Sequence, residues 1–501
     1  MTDTTTTQYP ELVEASPTPP EPVEGSPTLE ATPALPEPVE GSPASTSSAS
    51  RTLEATPTTT TLFRFATAGS VDDGKSTLVG RLLHDSKAIL ADQLEQVART
   101  SRERGFGQGT GFDFALLTDG LRAEREQGIT IDVAYRYFST GRRSFILADC
   151  PGHVQYTRNM VTGATTADAV VVLIDGRKGV LEQTRRHLAV VALLRVPHVI
   201  VAVNKIDLLG YDVGAFAAVE RQVRDVTREL GLGDVHVLPV SALEGDNVVE
   251  RSANTPWYDG PALLELLEHL PAQGELGSRD APSSLLDDRA SEDFRLPVQL
   301  VLRPQGGLSP ELAADPAAAE FYRDYRAFAG RVASGRVRVG DRVQVFPSGI
   351  ETTVTGIDVA GASADEAVAP QSIALRLADD IDAARGAVIA TAGTVPAGRR
   401  EVVAELFQLD ARPLLPGARV LVKHGTRTVQ ALVASVDARR DLDTLAHEPA
   451  SALEANDIGR ATLRFAAELP LEPYEANRSA GSFLVIHPAD GATLAAGITH
   501  G

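Results

Sequence analysis

The sequence predicts an α/β domain with a parallel-dominated sheet and flanking helices, followed by two small β-barrel domains, behind a disordered N-terminal tail. Three observations carry this. Apolar runs such as Leu62 to Ala68, Ser144 to Ala148, Asp168 to Ile174, Val199 to Val203 and Val235 to Val240 alternate with helical stretches, the pattern of parallel strands joined by crossover helices. From Phe294 onward the helical period fades. Short β-branched runs then crowd together, as in PVQLVL, RVRVGDRVQVF, ARVLVKH and TVQALVASV, separated by Gly, Pro and Asp turns. Before Leu62 the chain is mostly Thr, Pro, Ser, Glu and Ala, with EPVEGSP at Glu21 and Glu37 and TLEATP at Thr28 and Thr52. Such a composition buries too little apolar surface to offset chain entropy.

The expected organisation is a tail over 1–61, a first domain over 62–272 closing on a helix from Pro261 to Leu270, and a polar linker over 273–293. Barrels II and III are expected over 294–395 and 396–501, divided at the Gly/Pro stretch from Gly393 to Arg399. A length of 501 residues suits several domains, and 43% hydrophobic with 23% charged residues is the balance of an ordinary globular chain. The longest apolar runs fall far short of the roughly 18 to 20 residues that span a bilayer, so no membrane helix is expected. The N-terminus has no basic start and no apolar core of a signal peptide. The single cysteine, Cys150, excludes an intrachain disulfide and suits a reducing compartment, read as the cytoplasm. A formal net charge of −20 argues against a nucleic-acid-coating protein, because phosphate neutralisation needs clustered Lys and Arg.

The first chemical signal follows the first strand. Gly69-Ser70-Val71-Asp72-Asp73-Gly74-Lys75-Ser76 satisfies G-x-x-x-x-G-K-[ST] between a predicted strand and a predicted helix, which makes the first domain a P-loop domain. Backbone amides can curl around a β-phosphate there, Lys75 can bridge the β- and γ-phosphates, and the Ser76 hydroxyl can ligate Mg²⁺. Asn204-Lys205-Ile206-Asp207 stands directly after an apolar strand and selects guanine: the Asp207 carboxylate accepts from N1 and the exocyclic N2, a donor that adenine lacks. Asn204 is expected to brace the loops, the Lys205 stem to cover the base, and the Ala242 amide of Ser241-Ala242-Leu243 to meet the guanine O6. The domain is thus expected to be a GTPase.

Between these motifs lie Asp149-Cys150-Pro151-Gly152-His153 and, upstream, Glu124 to Thr130 (EREQGIT), which match the two switch segments of translational GTPases. In that match Asp149 holds Mg²⁺ through water, the Gly152 amide senses the γ-phosphate, Thr130 completes the metal shell and His153 orients the attacking water. Cys150 reads as a buried filler rather than a nucleophile. The catalytic pair is His153 and Lys75, and the expected ligands are GTP and Mg²⁺.

The order P-loop, GIT, DxPGH, NKxD and SAL, followed by two barrels, resembles the family of elongation factor Tu and eukaryotic elongation factor 1-alpha. Narrower phrases resemble the GTPase subunits of sulfate adenylyltransferase, the CysN type: Leu116 to Leu121, Ala134 to Phe138, Gln155 to Met160, Gly245 to Val249, Trp257 to Pro261, Lys423 to Thr428, Asn456 to Arg460 and Glu472 to Ile486. Gln408 in LFQLD departs from that pattern. The resemblance implies a subunit that hydrolyses GTP to drive formation of adenosine 5′-phosphosulfate and pyrophosphate from ATP and sulfate, with adenylyl transfer performed by a small subunit of the CysD type. Consistent with that division, the chain has no SGGxDS-like loop, no H-x-G-H pair, and a Gly-Lys step only at Lys75, so neither an adenylylating site nor a second P-loop is expected. The competing reading is an elongation-factor-like carrier of aminoacyl-tRNA, which should present basic, RNA-facing barrels.

Overall fold

The computed structural model describes residues 61–87, 114, 133–152, 157–272, 293–304, 307–441, 444 and 446–500. Residues 1–60 of the expected tail over 1–61, residues 273–292 of the expected linker over 273–293, the segment Glu124 to Thr130 and His153 lie outside the described residues.

The first domain is a six-stranded sheet. Its strands are β1 (Thr61–Gly69), β2 (Ala134–Ser139), β3 (Arg143–Asp149), β4 (Ala169–Asp175), β5 (His198–Asn204) and β6 (Val235–Pro239), in spatial order β2-β3-β1-β4-β5-β6. All neighbours run parallel except β2, which pairs antiparallel with β3. Around the sheet lie α1 (Lys75–Asp85), α2 (Thr157–Thr165), α3 (Glu182–Leu193), α4 (Val213–Glu229) and α5 (Leu263–His269).

The apolar runs of β4 and β5 are buried at every position because both faces of a parallel sheet are covered by helices. Side chains alternate between two cores. Phe63, Phe65, Val171, Leu173 and Ile200 enter one, while Ala66, Ala68, Val170, Val172, Val199 and Val201 enter the other. Fully burying side chains of this size is worth about 1.5–3 kcal/mol each.

Two details differ from expectation. Strand β2 has no apolar run, since its outward Tyr135 and Tyr137 are exposed; it is held as an edge by Phe138, stacked on Phe145 at 4.8 Å. Helix α5 is shorter than Pro261 to Leu270 because Ala262 is extended, and the amides of Leu263 and Leu264 donate to the Asn247 and Val248 carbonyls.

Beyond residue 293 come two closed β structures, each with its own core. In the first, Arg295–Pro297 pairs with Val388–Thr391 at one end of the strand order, while Leu300–Leu302 pairs with Ala327–Arg331 at the other. A single chain run thus forms both ends and curls the sheet into a barrel. In the second, Arg419–His424 pairs with both Ser482–Ile486 and Arg427–Arg440, which closes the ring. The first barrel also carries two helices that strand patterning does not anticipate, Pro310–Ala314 and Pro316–Arg323. Ser309 and Asp315 cap them, each with proline in the first turn.

The second barrel packs on the first domain. Phe407, Ile458, Tyr474 and Ile498 share a core with Met160, Val161 and Ala164 of α2 and with Leu188 and Val191 of α3. The Tyr474 hydroxyl donates to the Leu194 carbonyl at 2.9 Å. Gln408, the residue at odds with the resemblance, is buried and donates its Nε2 to the Arg412 carbonyl at 2.6 Å, closing a turn.

Candidate nucleotide-binding site

Parallel pairing brings the carboxyl ends of the central strands to one edge, where ligands of open α/β sheets bind. Register pairs Thr67 with Asp149, Gly69 with Leu173, Asp175 with Asn204, and Val203 with Pro239. Every described motif residue therefore leaves the sheet at that edge.

The loop from Gly69 to Gly74 folds on itself. The Ser70 amide donates to Asp73 Oδ2 at 2.7 Å, and Gly74 takes φ +94° to start α1. A Cβ on Gly74 would lie within 3.0 Å of Asn204 Nδ2, so the loop can approach the end of β5 only as glycine. Asn204 ties two loops together: its Nδ2 donates to the Asp73 carbonyl at 2.7 Å, and its Oδ1 accepts from the Ala242 amide at 2.9 Å. The amide expected at the guanine O6 thus has a protein partner here. Ser241 is buried, and its Oγ accepts from the Glu244 amide at 3.2 Å. Asp207, half-buried, sits in the single 3₁₀ turn Ile206–Leu209 that follows Lys205 at φ +63°.

Lys75 is buried, and its ammonium donates to the Gly69 carbonyl at 2.9 Å and the Ser70 carbonyl at 3.4 Å. Burial pulls its pKa below the usual lysine range, with the Asp149 and Asp73 charges opposing. Gly152 is stacked against this lysine, since an added Cβ would fall within 3.0 Å of both Lys75 Nζ and the Gly69 carbonyl oxygen. Val71 and Asp72 are exposed and Ser76 is half-buried, whereas Asp73, Asp149, Cys150, Pro151 and Gly152 are buried. Burial raises the Asp73 carboxyl, partly offset by the Ser70 hydrogen bond, and its Oδ1 has no hydrogen-bond partner among the described residues. Burial likewise pushes the Cys150 thiol far up, so it stays protonated and inert.

Two supporting contacts escape sequence reading. The Thr67 hydroxyl donates to Asp149 Oδ1 at 2.7 Å, fixing the carboxylate beside Lys75. Asp175, at the end of β4, accepts from Lys205 Nζ at 3.0 Å and from Arg177, while Lys205 also donates to the Asp72 carbonyl at 2.5 Å. Burial would raise Asp175, but hydrogen bonds from Arg177 and Lys205 more than reverse that and hold it well below the usual carboxylate range. The only local trace of it in the sequence is an acid closing an otherwise wholly apolar strand. Of the predicted site residues, Thr130 and His153 lie outside the described residues, and the others named here converge on one rim.

Residues 60–273 match the family described as the elongation factor Tu GTP binding domain, and residues 401–500 match the GTP-eEF1A C-terminal domain-like family. The bifunctional enzyme CysN/CysC of Mycobacterium tuberculosis is 48% identical over 441 residues, covering 88% of this chain and 67% of that protein. That of Rhodopirellula baltica is 45% identical, with 87% of this chain and 63% of that protein covered. This chain thus spans about two thirds of the length of those relatives. Sulfate adenylyltransferase subunit 1 of Alteromonas mediterranea is 43% identical over 437 residues, covering 87% of this chain and 86% of that protein. The chain belongs to the sulfate adenylyltransferase subunit 1 family, the CysN type, among the GTPases that share the elongation factor Tu GTP-binding domain.

Proposed function

We propose that this chain binds GTP with Mg²⁺ at the rim described above and couples GTP hydrolysis to formation of adenosine 5′-phosphosulfate and pyrophosphate from ATP and sulfate, performed by a small subunit of the CysD type. The observation that carries the reading is the joining of P-loop and base-reading strand through Asn204, with Lys75 and Gly152 in contact behind them. In this reading the loop amides and Lys75 hold the β- and γ-phosphates, Asp207 reads guanine, and the backbone of Gly152 senses the γ-phosphate. His153 positions the attacking water, and the Lys75 ammonium, freed from the Gly69 carbonyl, neutralises charge on the leaving phosphate.

The donor set suits Mg²⁺. One buried carboxylate, Asp149, and one hydroxyl, Ser76, stand beside the phosphate loop, and among the described residues no cluster of three acidic, His or Cys ligands competes for a harder cage. With Thr130 they would hold the ion, which supplies charge neutralisation on the phosphates. No helix among the described residues is long and apolar enough to cross a membrane, and a cytoplasmic setting, where the nucleotides are, goes with this reading.

The test is sulfate-dependent pyrophosphate release from ATP with the purified pair. GTP should raise product formation, and Lys75→Ala should abolish that gain while leaving the small subunit's ATP site intact. Equal output with GTP, with GDP, or with the Lys75→Ala chain would refute the coupling.

A further inference from the structure

At the opposite edge of the sheet from the nucleotide rim, the first domain and both barrels enclose a cleft of about 1770 Å³. Small-molecule sites occupy roughly 300–1000 Å³, so this space fits a polypeptide segment better than a metabolite. Its charge runs against that of the chain. The formal net charge is −20, yet the described residues lining the cleft include seven arginines against four carboxylates, Asp168, Asp358, Glu472 and Glu475. Some of the arginines are committed: Arg295 pairs with Glu472 at 2.7 Å, and Arg478 donates to the Thr165 carbonyl at 3.0 Å. Arg64 of the first domain, Arg336 of the first barrel and Arg427 of the second are different. Each lines the cleft without an ion pair among the described residues, Arg427 resting 5.8 Å from the centre of the Phe346 ring, so three domains each contribute a guanidinium with no carboxylate partner to one space. Guanidiniums of this kind favour carboxylate partners, which they bind bidentately.

One wall adds apolar surface. Helix Pro316–Arg323 buries none of its residues, and Phe321, 51% exposed, stacks edge-on with Tyr322 at 5.0 Å and leans on Tyr325 at 5.6 Å. Leu300, 56% exposed, lines the same space. An aromatic ledge beside guanidiniums that lack a carboxylate partner among the described residues suits a segment that carries carboxylates and an apolar anchor.

We propose that this three-domain cleft is the docking site for an acidic, apolar-anchored segment of the small partner subunit. The proposal rests on the functional reading above, and it places the contact against Thr165 and Thr166, where α2 ends. Helix α2 follows the Asp149 to Gly152 segment in the chain, so a segment seated here lies at the far end of the element that leaves the nucleotide rim.

The experiment measures affinity of the purified small subunit for the full chain by calorimetry at two salt concentrations, using wild type, Arg336→Glu/Arg427→Glu and Phe321→Ser. Fluorescent GDP binding is measured in parallel as a check on folding. The charge reversal should weaken subunit binding at least about tenfold and flatten its salt dependence, Phe321→Ser should weaken it severalfold, and GDP affinity should stay at the wild-type value. Subunit affinity unchanged in both variants, with GDP binding intact, overturns the cleft assignment. So does a variant that loses binding of RNA while keeping subunit affinity, since the cleft would then serve a polyanion of another class. Failure of the wild-type chain to bind the small subunit at all would instead refute the functional reading, which distinguishes the two.

Discussion

Replacing Gly152 with alanine tests the proposed site at its tightest point. The new Cβ would stand under 3.0 Å from Lys75 Nζ and from the Gly69 carbonyl oxygen, where ordinary contact begins at 3.4 Å. Lys75 can swing its flexible end away, but the carbonyl belongs to the phosphate loop and cannot. Relief therefore requires the Gly152 segment and the loop to part by at least the difference between those two distances. Misplacement of catalytic groups by 1 Å costs roughly 100-fold in rate, so a shift of nearly half that should slow single-turnover GTP hydrolysis by about tenfold or more. GDP, which lacks the γ-phosphate that Gly152 is proposed to sense, should bind with little change. The assay is single-turnover hydrolysis alongside nucleotide dissociation constants. Hydrolysis within twofold of wild type would mean that Gly152 does not abut the phosphate loop during turnover, and the reasoning fails.

Further outcomes follow from the same contacts. Asp207→Asn should weaken GTP binding and shift preference toward xanthosine triphosphate, since the amide offers a donor to a base with an acceptor at C2; unchanged GTP affinity would defeat the base assignment. His153→Ala should leave nucleotide affinity near wild type yet slow turnover strongly, because water positioning acts in the transition state, and loss of binding would mark the residue as structural. His187 is buried in α3, and desolvation lowers its pKa to about 3. Its folded value lies below the unfolded one of about 6.5, so the stability tied to the neutral ring is present above that pH and drains away as pH falls toward 3. Between about pH 7.5 and 5 this amounts to about 2 kcal/mol, which urea unfolding of wild type should lose and His187→Gln should keep; parallel losses in both would refute it. Tyr474→Phe strands the buried Leu194 carbonyl and should cost about 1–3 kcal/mol by the same method, an unchanged midpoint counting against the contact.

What the sequence made legible was whatever is contiguous. The alternation of apolar runs with helical stretches, and the later crowding of short β-branched runs, announced the α/β domain and the barrels because each pattern repeats within a few residues. The motifs after β1, β3 and β5 stood out for the same reason. Thr67 and Asp175 did not. Their roles arise from strand register, which pairs Thr67 with Asp149 and Asp175 with Asn204 across long sequence separations, and no local pattern encodes such pairs. Strand β2 was hidden because an edge strand exposed on one face carries polar and aromatic residues rather than an apolar run. The helices at Pro310 and Pro316 had their caps in plain view, in Ser309-Pro310 and Asp315-Pro316, but the surrounding strand pattern outweighed them.

The core shared by α2 and the second barrel limits how a change at the nucleotide rim can travel. Phe407, Ile458, Tyr474 and Ile498 are each at most 3% exposed within it, so prising the barrel off α2 would return four large side chains to water. At about 1.5–3 kcal/mol for each, that exceeds the 1–3 kcal/mol typical of coupling between sites. A displacement of α2 by loss of the γ-phosphate is therefore cheaper to accommodate if the barrel moves with the helix than if the contact breaks. The hydrogen bonds from Tyr474 to Leu194 and from Arg478 to Thr165 lie on the same contact and would travel with it. The first barrel is tied to the second through polar links such as Arg295 to Glu472 and Asn477 to Ser334, the first between side chains only 8% and 16% exposed, so parting the barrels there would leave a buried charge unpaired. A displaced α2 should thus carry both barrels with it, and a partner segment seated against Thr165 and Thr166 in the arginine-lined cleft would register the movement.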